Sequence, residues 1–155
     1  MQEELQPAPH QLAALGGRSM EDLEQWMLEQ PQAPYQLNHH FGPGVYIREA
    51  VIPAGTIALG HPHRGQHMVV ILEGVMATLM DGEVKVISGP ATFLSDAGRK
   101  LVYVIEDLTI QNIYATEETD IEKLEDMLVD KSRPWDSVEI EDGTQLLLSA
   151  VGEVA

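Results

Sequence analysis

The stretch GTIALGHPHRGQHMVVILEG, residues 55 to 74, places three histidines directly before a run of β-forming residues. If the chain is extended from about residue 60, His61, His63 and His67 share one parity and project to the same face of a sheet. The three imidazoles then meet, unless a turn at residues 64 and 65 disturbs the parity. A polar turn that is rich in histidine explains the same residues without any ligand.

Three imidazoles on one face form a candidate metal site. Imidazole is the commonest nitrogen ligand for transition metals in proteins, and three of them leave coordination positions free for water or substrate. Because the chain contains no cysteine, any metal must be held by nitrogen and oxygen ligands. The pattern predicts a divalent transition metal on His61, His63 and His67, and it does not distinguish iron, zinc, nickel and manganese.

The composition is that of one globular domain. With 155 residues, of which 44% are hydrophobic, the chain is long enough for one core and too short for two ordinary ones. The 25 acidic residues against 9 basic residues give a formal net charge of −16, which repels phosphate backbones and anionic membranes. We therefore expect no binding to nucleic acid or to membranes. We also expect a cytoplasmic location, since the first residues lack the basic and apolar parts of a signal peptide.

Residues 35 to 114 consist of short β-forming segments separated by turn signals. Asp81-Gly82 is the strongest hairpin signal among them, and Pro53-Ala54-Gly55 and Gly89-Pro90 mark further turns. Strands at this spacing, with no helical periods between them, predict an all-β fold that is either an antiparallel sandwich or a barrel.

Two helices and a tail flank this β region. Ser19 begins a helix over residues 19 to 30 with one apolar face, and a capping box of Thr119 and Glu122 begins a second helix over residues 119 to 130. We therefore divide the chain into an N-terminal arm and helix (1–34), a β-barrel (35–116) and a C-terminal helix and tail (117–155).

The apolar segments outside the β region suggest contacts with other parts of the protein or with a second copy. The helix face over residues 19 to 30 packs either against the barrel or against another subunit. The tail segment LLLSAV, residues 146 to 151, forms either a small hairpin or an added edge strand, and it needs cover. Both segments are consistent with a homodimer, which we expect.

The spacing around the histidines resembles the first motif of the cupin superfamily. That motif reads Gly, five residues, His, one residue, His, three or four residues, Glu, six residues, Gly, and the chain matches it from Gly55 to Gly74. His67 stands where the family has its glutamate ligand. The second cupin motif begins at Gly89 and is matched less closely, so that Leu101 stands where the family has its fourth ligand, a histidine.

Cupins are small jelly-roll barrels, so the resemblance implies a cupin jelly-roll barrel with the three histidines facing its interior. Further residues are candidates for the pocket. His39 and His40 precede the first barrel strand, Tyr103 shares parity with Leu101, and Arg99 is a rare basic residue near the second motif. Each also has an ordinary alternative, as a surface histidine, a core side chain or a solvated arginine.

Three classes of function fit these features, and no catalytic residue is identified. A metal-dependent enzyme would be an oxygenase, or an isomerase or lyase, acting on a small molecule. A binding module would hold a metal or a small ligand, as a sensor or accessory subunit without turnover. In a structural protein the histidines would only fill the mouth of the barrel.

Overall fold

The computed structural model describes residues 19–29, 32–80, 83–130 and 147–151. Two helices lie within these ranges, α1 (Met20–Leu28) and α2 (Ile121–Leu128). The eight strands in the same ranges are β1 (Gln36–Gly42), β2 (Val45–Ile52), β3 (Thr56–Gly60), β4 (His67–Met80), β5 (Glu83–Ser88), β6 (Ala91–Ser95), β7 (Leu101–Ala115) and β8 (Leu147–Val151). The predicted arm over residues 1 to 18, the Asp81-Gly82 turn and the first part of the C-terminal tail lie outside the described residues.

Strands β4 and β7 form the spine of the sheet. They pair antiparallel along most of their length, from Met68 opposite Ile113 to Thr78 opposite Val102. The first half of β4 also pairs with β6 and its second half with β5, while β7 pairs with β2 and β3. Strand β1 lies beside β2, and β8 lies beside β3. The sheet therefore bends into two halves that enclose a cavity.

Gly74 lies where β4 changes its neighbour from β6 to β5. The register between β4 and β7 shifts on both sides of it, between Ile71 and Glu73 and again between Glu73 and Val75. Its φ of 100° is in the left-handed region that favours glycine. A Cβ at this position would lie 2.3 Å from the carbonyl oxygen of Asp107. This glycine therefore allows the bend by which one strand serves both halves of the sheet.

The apolar face of α1 packs against the barrel of its own chain. The cluster that joins them consists of Leu23, Met27, Ile57, Leu59, Ala77, Leu101 and Tyr103. Alternation along β3 places Ala58 and Gly60 on the opposite face, where they line the cavity. Of the two alternatives for this helix, packing against the barrel is confirmed, and the homodimer stays a prediction.

The flanking elements largely follow the sequence pattern. Ser19 caps α1 and accepts a hydrogen bond from the amide of Asp22 at 3.1 Å. At α2 the predicted cap at Thr119 is wrong by one position, because the carboxylate of Asp120 accepts from the amide of Lys123 at 3.1 Å. The tail is an added edge strand, β8, beside β3. No helix in the described ranges is long and apolar enough to cross a membrane.

Candidate ligand-binding site

A cavity of about 150 Å³ lies between the two halves of the sheet. Most of its wall is apolar and comes from Leu37, Ala50, Ile52, Ala58, Val69, Met76, Phe93, Val102, Leu108 and Ile110. One end is polar and is lined by Arg48, His63, His67, Asn112 and Tyr114. An apolar cleft with a few convergent polar groups is the usual form of a small-molecule site.

His63 and His67 lie side by side at the polar end, with their ring centroids 4.3 Å apart. Nε2 of His63 lies 2.9 Å from the hydroxyl of Tyr114, and Nε2 of His67 lies 2.9 Å from Oδ1 of Asn112. Because an amide oxygen only accepts, Nε2 of His67 donates this hydrogen bond. The two imidazoles therefore belong to one network with Tyr114 and Asn112.

His61 does not join this pair. It is buried, with 1% of its surface exposed, and it does not line the cavity. It nevertheless acts on the pKa of His63, after burial, His67 and Arg48. Strand β3 ends at Gly60, and His63 forms its own bridge to Gly98, with an N–O distance of 2.9 Å. The chain between His61 and His63 therefore does not continue the parity on which the sequence prediction depended.

The donor groups as arranged do not fit the predicted three-histidine metal centre. Among the residues that the structure describes, no three side chains of His, Asp or Glu are grouped so that they could hold a metal ion. Nδ1 of His67 lies 3.5 Å from the carbonyl oxygen of Gly65, and Nε2 of His63 faces the Tyr114 hydroxyl. Both nitrogens thus already face an oxygen of the protein. The three-histidine site stays a prediction.

Arg48 is a site residue that sequence reasoning missed. Along β2, the buried positions are Tyr46, Arg48, Ala50 and Ile52. Arg48 is only 3% exposed, and its Nη1 and Nη2 have no hydrogen-bond partner within the described part of the chain. The signal is present in VYIREAVI, residues 45 to 52, where an arginine occupies one of the alternating inward positions.

Leu101 and Tyr103 are placed away from the cavity. Both are buried in the cluster that packs against α1, which agrees with the alternative of a core tyrosine. The neighbouring Lys100 and Val102 line the cavity instead, because alternate residues of a strand point to opposite faces.

His39 and His40 also do not line the cavity. The ring of His39 stacks on Tyr46, and its Nδ1 lies 2.7 Å from the Tyr46 hydroxyl. His40 is exposed and lies 3.7 Å from a carboxylate oxygen of Glu49. Both histidines therefore make contacts at the edge of the sheet, on β1, and not in the cavity.

Arg99 attaches α1 to the barrel and does not line the cavity. Its Nε donates to the carbonyl oxygen of Gly60 at 2.7 Å, and its Nη2 lies 2.5 Å from a carboxylate oxygen of Glu24 in α1. Only 12% of the Arg99 side chain and 1% of the Glu24 side chain are exposed. The guanidinium is therefore engaged in a buried ion pair.

Burial determines which groups at the polar end carry charge. The pKa of His63 is lowered to about 4, first by burial and then by His67 and Arg48. Burial raises the pKa of Tyr114 and of Tyr46, although Arg48 acts in the opposite direction on both. Since these three side chains are uncharged at neutral pH, the fixed charges that act on them are that of Arg48 and, at His63, also that of Lys100.

The lowered pKa of His63 predicts a loss of stability in acid. Between pH 6.5 and about 4, the unfolded chain binds a proton at His63 that the folded chain does not, so acid favours unfolding. Through this residue we expect the free energy of unfolding to fall by about 2 kcal/mol from pH 7 to pH 5. Urea unfolding at the two pH values should show a smaller fall in the free energy of unfolding for His63→Gln than for the wild type. Equal falls in the two proteins would contradict the expectation.

Comparison with known proteins supports the fold. No protein-family model matches the sequence, and no curated protein matches it. The structure is similar to ectoine synthase from P. lautus, with a TM-score of 0.50, 16% identity, and coverage of 66% of this chain and 82% of that chain.

Two other solved structures are also similar. One is KdgF from Halomonas sp., with a TM-score of 0.45, 13% identity, and coverage of 56% of this chain and 82% of that chain. The other is the Cupin_2 domain of an XRE family transcriptional regulator from Enterobacter cloacae, with a TM-score of 0.45, 12% identity, and coverage of 54% and 98%. At these identities the similarity concerns the fold alone.

The protein therefore has the cupin jelly-roll fold, an antiparallel β-barrel that, among the described residues, is flanked by two short helices. The predicted fold class and the resemblance to cupins are confirmed.

Proposed function

We propose that the protein binds a small organic molecule in the cavity of its barrel. The observation that carries the proposal is the division of the cavity into an apolar wall and one polar end. The volume of about 150 Å³ equals that of an engineered apolar cavity that binds benzene, so the ligand is about the size of one six-membered ring. The proposal covers binding without turnover, as in a sensor or an accessory module.

The polar network supports a ligand with one hydrogen-bonding group. His63 is held against Tyr114, and His67 is held against Asn112, each pair at 2.9 Å. Groups that are fixed before a ligand arrives lose little conformational entropy when it binds. The apolar wall favours a hydrocarbon body for the rest of the molecule.

Filling the cavity should weaken binding. Ala50 lines the cavity, whereas its neighbour Val51 is exposed on the other face of β2. We expect Ala50→Leu to lower the affinity for benzyl alcohol by at least about tenfold, because the larger side chain occupies space that the ring needs. Ligand-observed NMR titrations measure this, and Val51→Leu, the matched control, should bind like the wild type.

Two outcomes would contradict the proposed function. One is an absence of saturable benzyl alcohol binding by the wild-type protein. The other is binding by Ala50→Leu that is as tight as binding by Val51→Leu, which would place the ligand outside the cavity.

The adjacent rings of His63 and His67 favour a second candidate function, the binding of a divalent transition metal as predicted from the sequence. It requires a third ligand, for which His61 is the candidate. Metal analysis of protein purified without a polyhistidine tag should then find about one equivalent of metal. This metal should be lost in His63→Ala and kept in His10→Ala. No metal uptake on titration would contradict this candidate.

A further inference from the structure

We propose that the ligand of the cavity is a small carboxylate with a hydrocarbon body, and that Arg48 is the group that binds its carboxylate. This inference rests on the proposed function, because it names the class of molecule that the same cavity takes.

Arg48 is a buried cation that forms no ion pair with the described residues. Only 3% of the residue is exposed, and both Nη1 and Nη2 are buried without a well-aligned hydrogen bond to a described residue, although the guanidinium lies close enough to the Tyr46 hydroxyl to lower the pKa of Tyr46. The ion pairs within the described ranges are made by His40, Arg64 and Arg99, and none involves Arg48. A guanidinium keeps its proton at any physiological pH, so deprotonation does not remove the free-energy cost of this burial.

The side chains around Arg48 do not neutralise it. In the sheet it lies opposite His39 of β1 and Asn112 of β7. Its charge acts on His63, Tyr114 and Tyr46, which are neutral at pH 7, and it makes a polar contact with the Tyr46 hydroxyl. These groups are polar, so they tolerate a charge beside them, but none is a carboxylate.

One carboxylate lines the cavity and another is buried where it acts on Tyr46, and Arg48 forms no ion pair with either within the described ranges. Asp96 lines the cavity, but it is exposed and accepts a hydrogen bond from Gln66 at 2.7 Å. Lys100 lines the cavity as well and is a second cation there besides Arg48. Glu125 of α2 is buried and acts on the pKa of Tyr46, yet Arg48 forms no ion pair with it in the described part of the chain.

A carboxylate is the anion that fits this arrangement. The planar guanidinium presents two parallel N–H donors that match two carboxylate oxygens, and such charge-assisted pairs are strong. Most of the cavity wall is apolar, so it offers a hydrocarbon body contacts that an inorganic phosphate cannot use. A carboxylate on a ring or short chain places its charge at Arg48 and its hydrocarbon along the wall. Benzoate has the required size and charge.

The first test compares three probes on the wild-type protein by isothermal titration calorimetry. Benzoate and benzyl alcohol share one ring and differ in charge, and inorganic phosphate carries charge without a hydrocarbon body. Benzoate should bind at least about tenfold more tightly than benzyl alcohol, because charge-assisted hydrogen bonds are stronger than neutral ones. Phosphate should bind more weakly than benzoate.

The second test uses variants of Arg48 and a matched control. Arg48→Met should weaken benzoate binding by at least about thirtyfold and change benzyl alcohol binding by less than about threefold. Arg48→Lys keeps the charge and loses the planar guanidinium. Its affinity for benzoate should lie between the affinities of the wild type and of Arg48→Met. Arg64→Met removes an exposed cation and should bind benzoate like the wild type.

Arg48→Met should also melt at a higher temperature than the wild type when no ligand is present, because it removes an uncompensated buried charge. Benzoate should raise the melting temperature of the wild type and not that of this variant.

The outcomes separate this inference from the proposed function. Equal affinity of the wild type for benzoate and benzyl alcohol would overturn the inference and leave the proposed function standing. Binding of neither probe would contradict the proposed function, and the inference with it. Benzoate binding that survives in Arg48→Met would also overturn the inference. If Arg48→Met does not fold, the inference is tested by the affinities of the wild type for benzoate and benzyl alcohol and by the benzoate affinity of Arg48→Lys.

Discussion

Gly74→Ala should lower the free energy of unfolding by at least about 3 kcal/mol. Gly74 has a φ of 100°, a conformation that is unfavourable for any residue with a Cβ. In addition, the new Cβ would lie 2.3 Å from the carbonyl oxygen of Asp107 and 2.8 Å from the Cα of Leu108. Both atoms belong to the backbone of β7, which cannot yield without disturbing its pairing with β4.

The chain offers a matched control at the other end of the sequence motif. Gly55 also has a positive φ, 86°, but a Cβ there would meet no atom within 4 Å. Gly55→Ala should therefore lower the free energy of unfolding only by the cost of a positive φ for a residue with a Cβ, about 1 to 2 kcal/mol. Urea denaturation measures both variants. Equal losses would show that the close approach of β4 and β7 at Gly74 does not contribute to stability.

Arg99→Met should lower the free energy of unfolding by about 3 to 5 kcal/mol, the second large effect. The substitution leaves the carboxylate of Glu24, which is 1% exposed, without its cationic partner in the interface between α1 and the barrel. It also removes the hydrogen bond from Arg99 to the carbonyl oxygen of Gly60. Because a buried charge is costly mainly when its partner is missing, Arg99→Met combined with Glu24→Met should recover most of the loss.

An exposed ion pair is the control for this prediction. Arg64 lies 2.9 Å from Asp130, but 53% and 67% of the two side chains are exposed. Arg64→Met should therefore change the free energy of unfolding by less than about 1 kcal/mol. Chemical denaturation of the four proteins, including the wild type, measures these effects. A loss in Arg99→Met that is no larger than in Arg64→Met would contradict the role of the buried pair.

The strands could be predicted from the sequence because each carries its own local pattern. In β2 the inward positions alternate as Tyr46, Arg48, Ala50 and Ile52. The partner of the C-terminal strand could not be predicted, since β8 pairs with β3 across a long sequence separation. Local pattern specifies that a strand exists, and tertiary contacts specify its neighbour.

The candidate site was predicted only in part, for a related reason. His63 and His67 do meet, but the position of His61 depends on the end of β3 and on the bridge between His63 and Gly98. Likewise, the burial of Arg48 follows from its parity in β2. Its lack of an ion pair within the described ranges depends on which elements pack around it, which no local pattern shows.

The most direct test of the central claim is a map of where a small molecule binds. Amide NMR spectra of the isotope-labelled protein, titrated with benzyl alcohol, should shift saturably for residues that line the cavity, such as Arg48, Ala50, Val69 and Asn112. Amides on the outer side of α2 should not shift. Shifts that are absent, or that cluster away from the cavity, would contradict the claim that the barrel interior is a ligand-binding site.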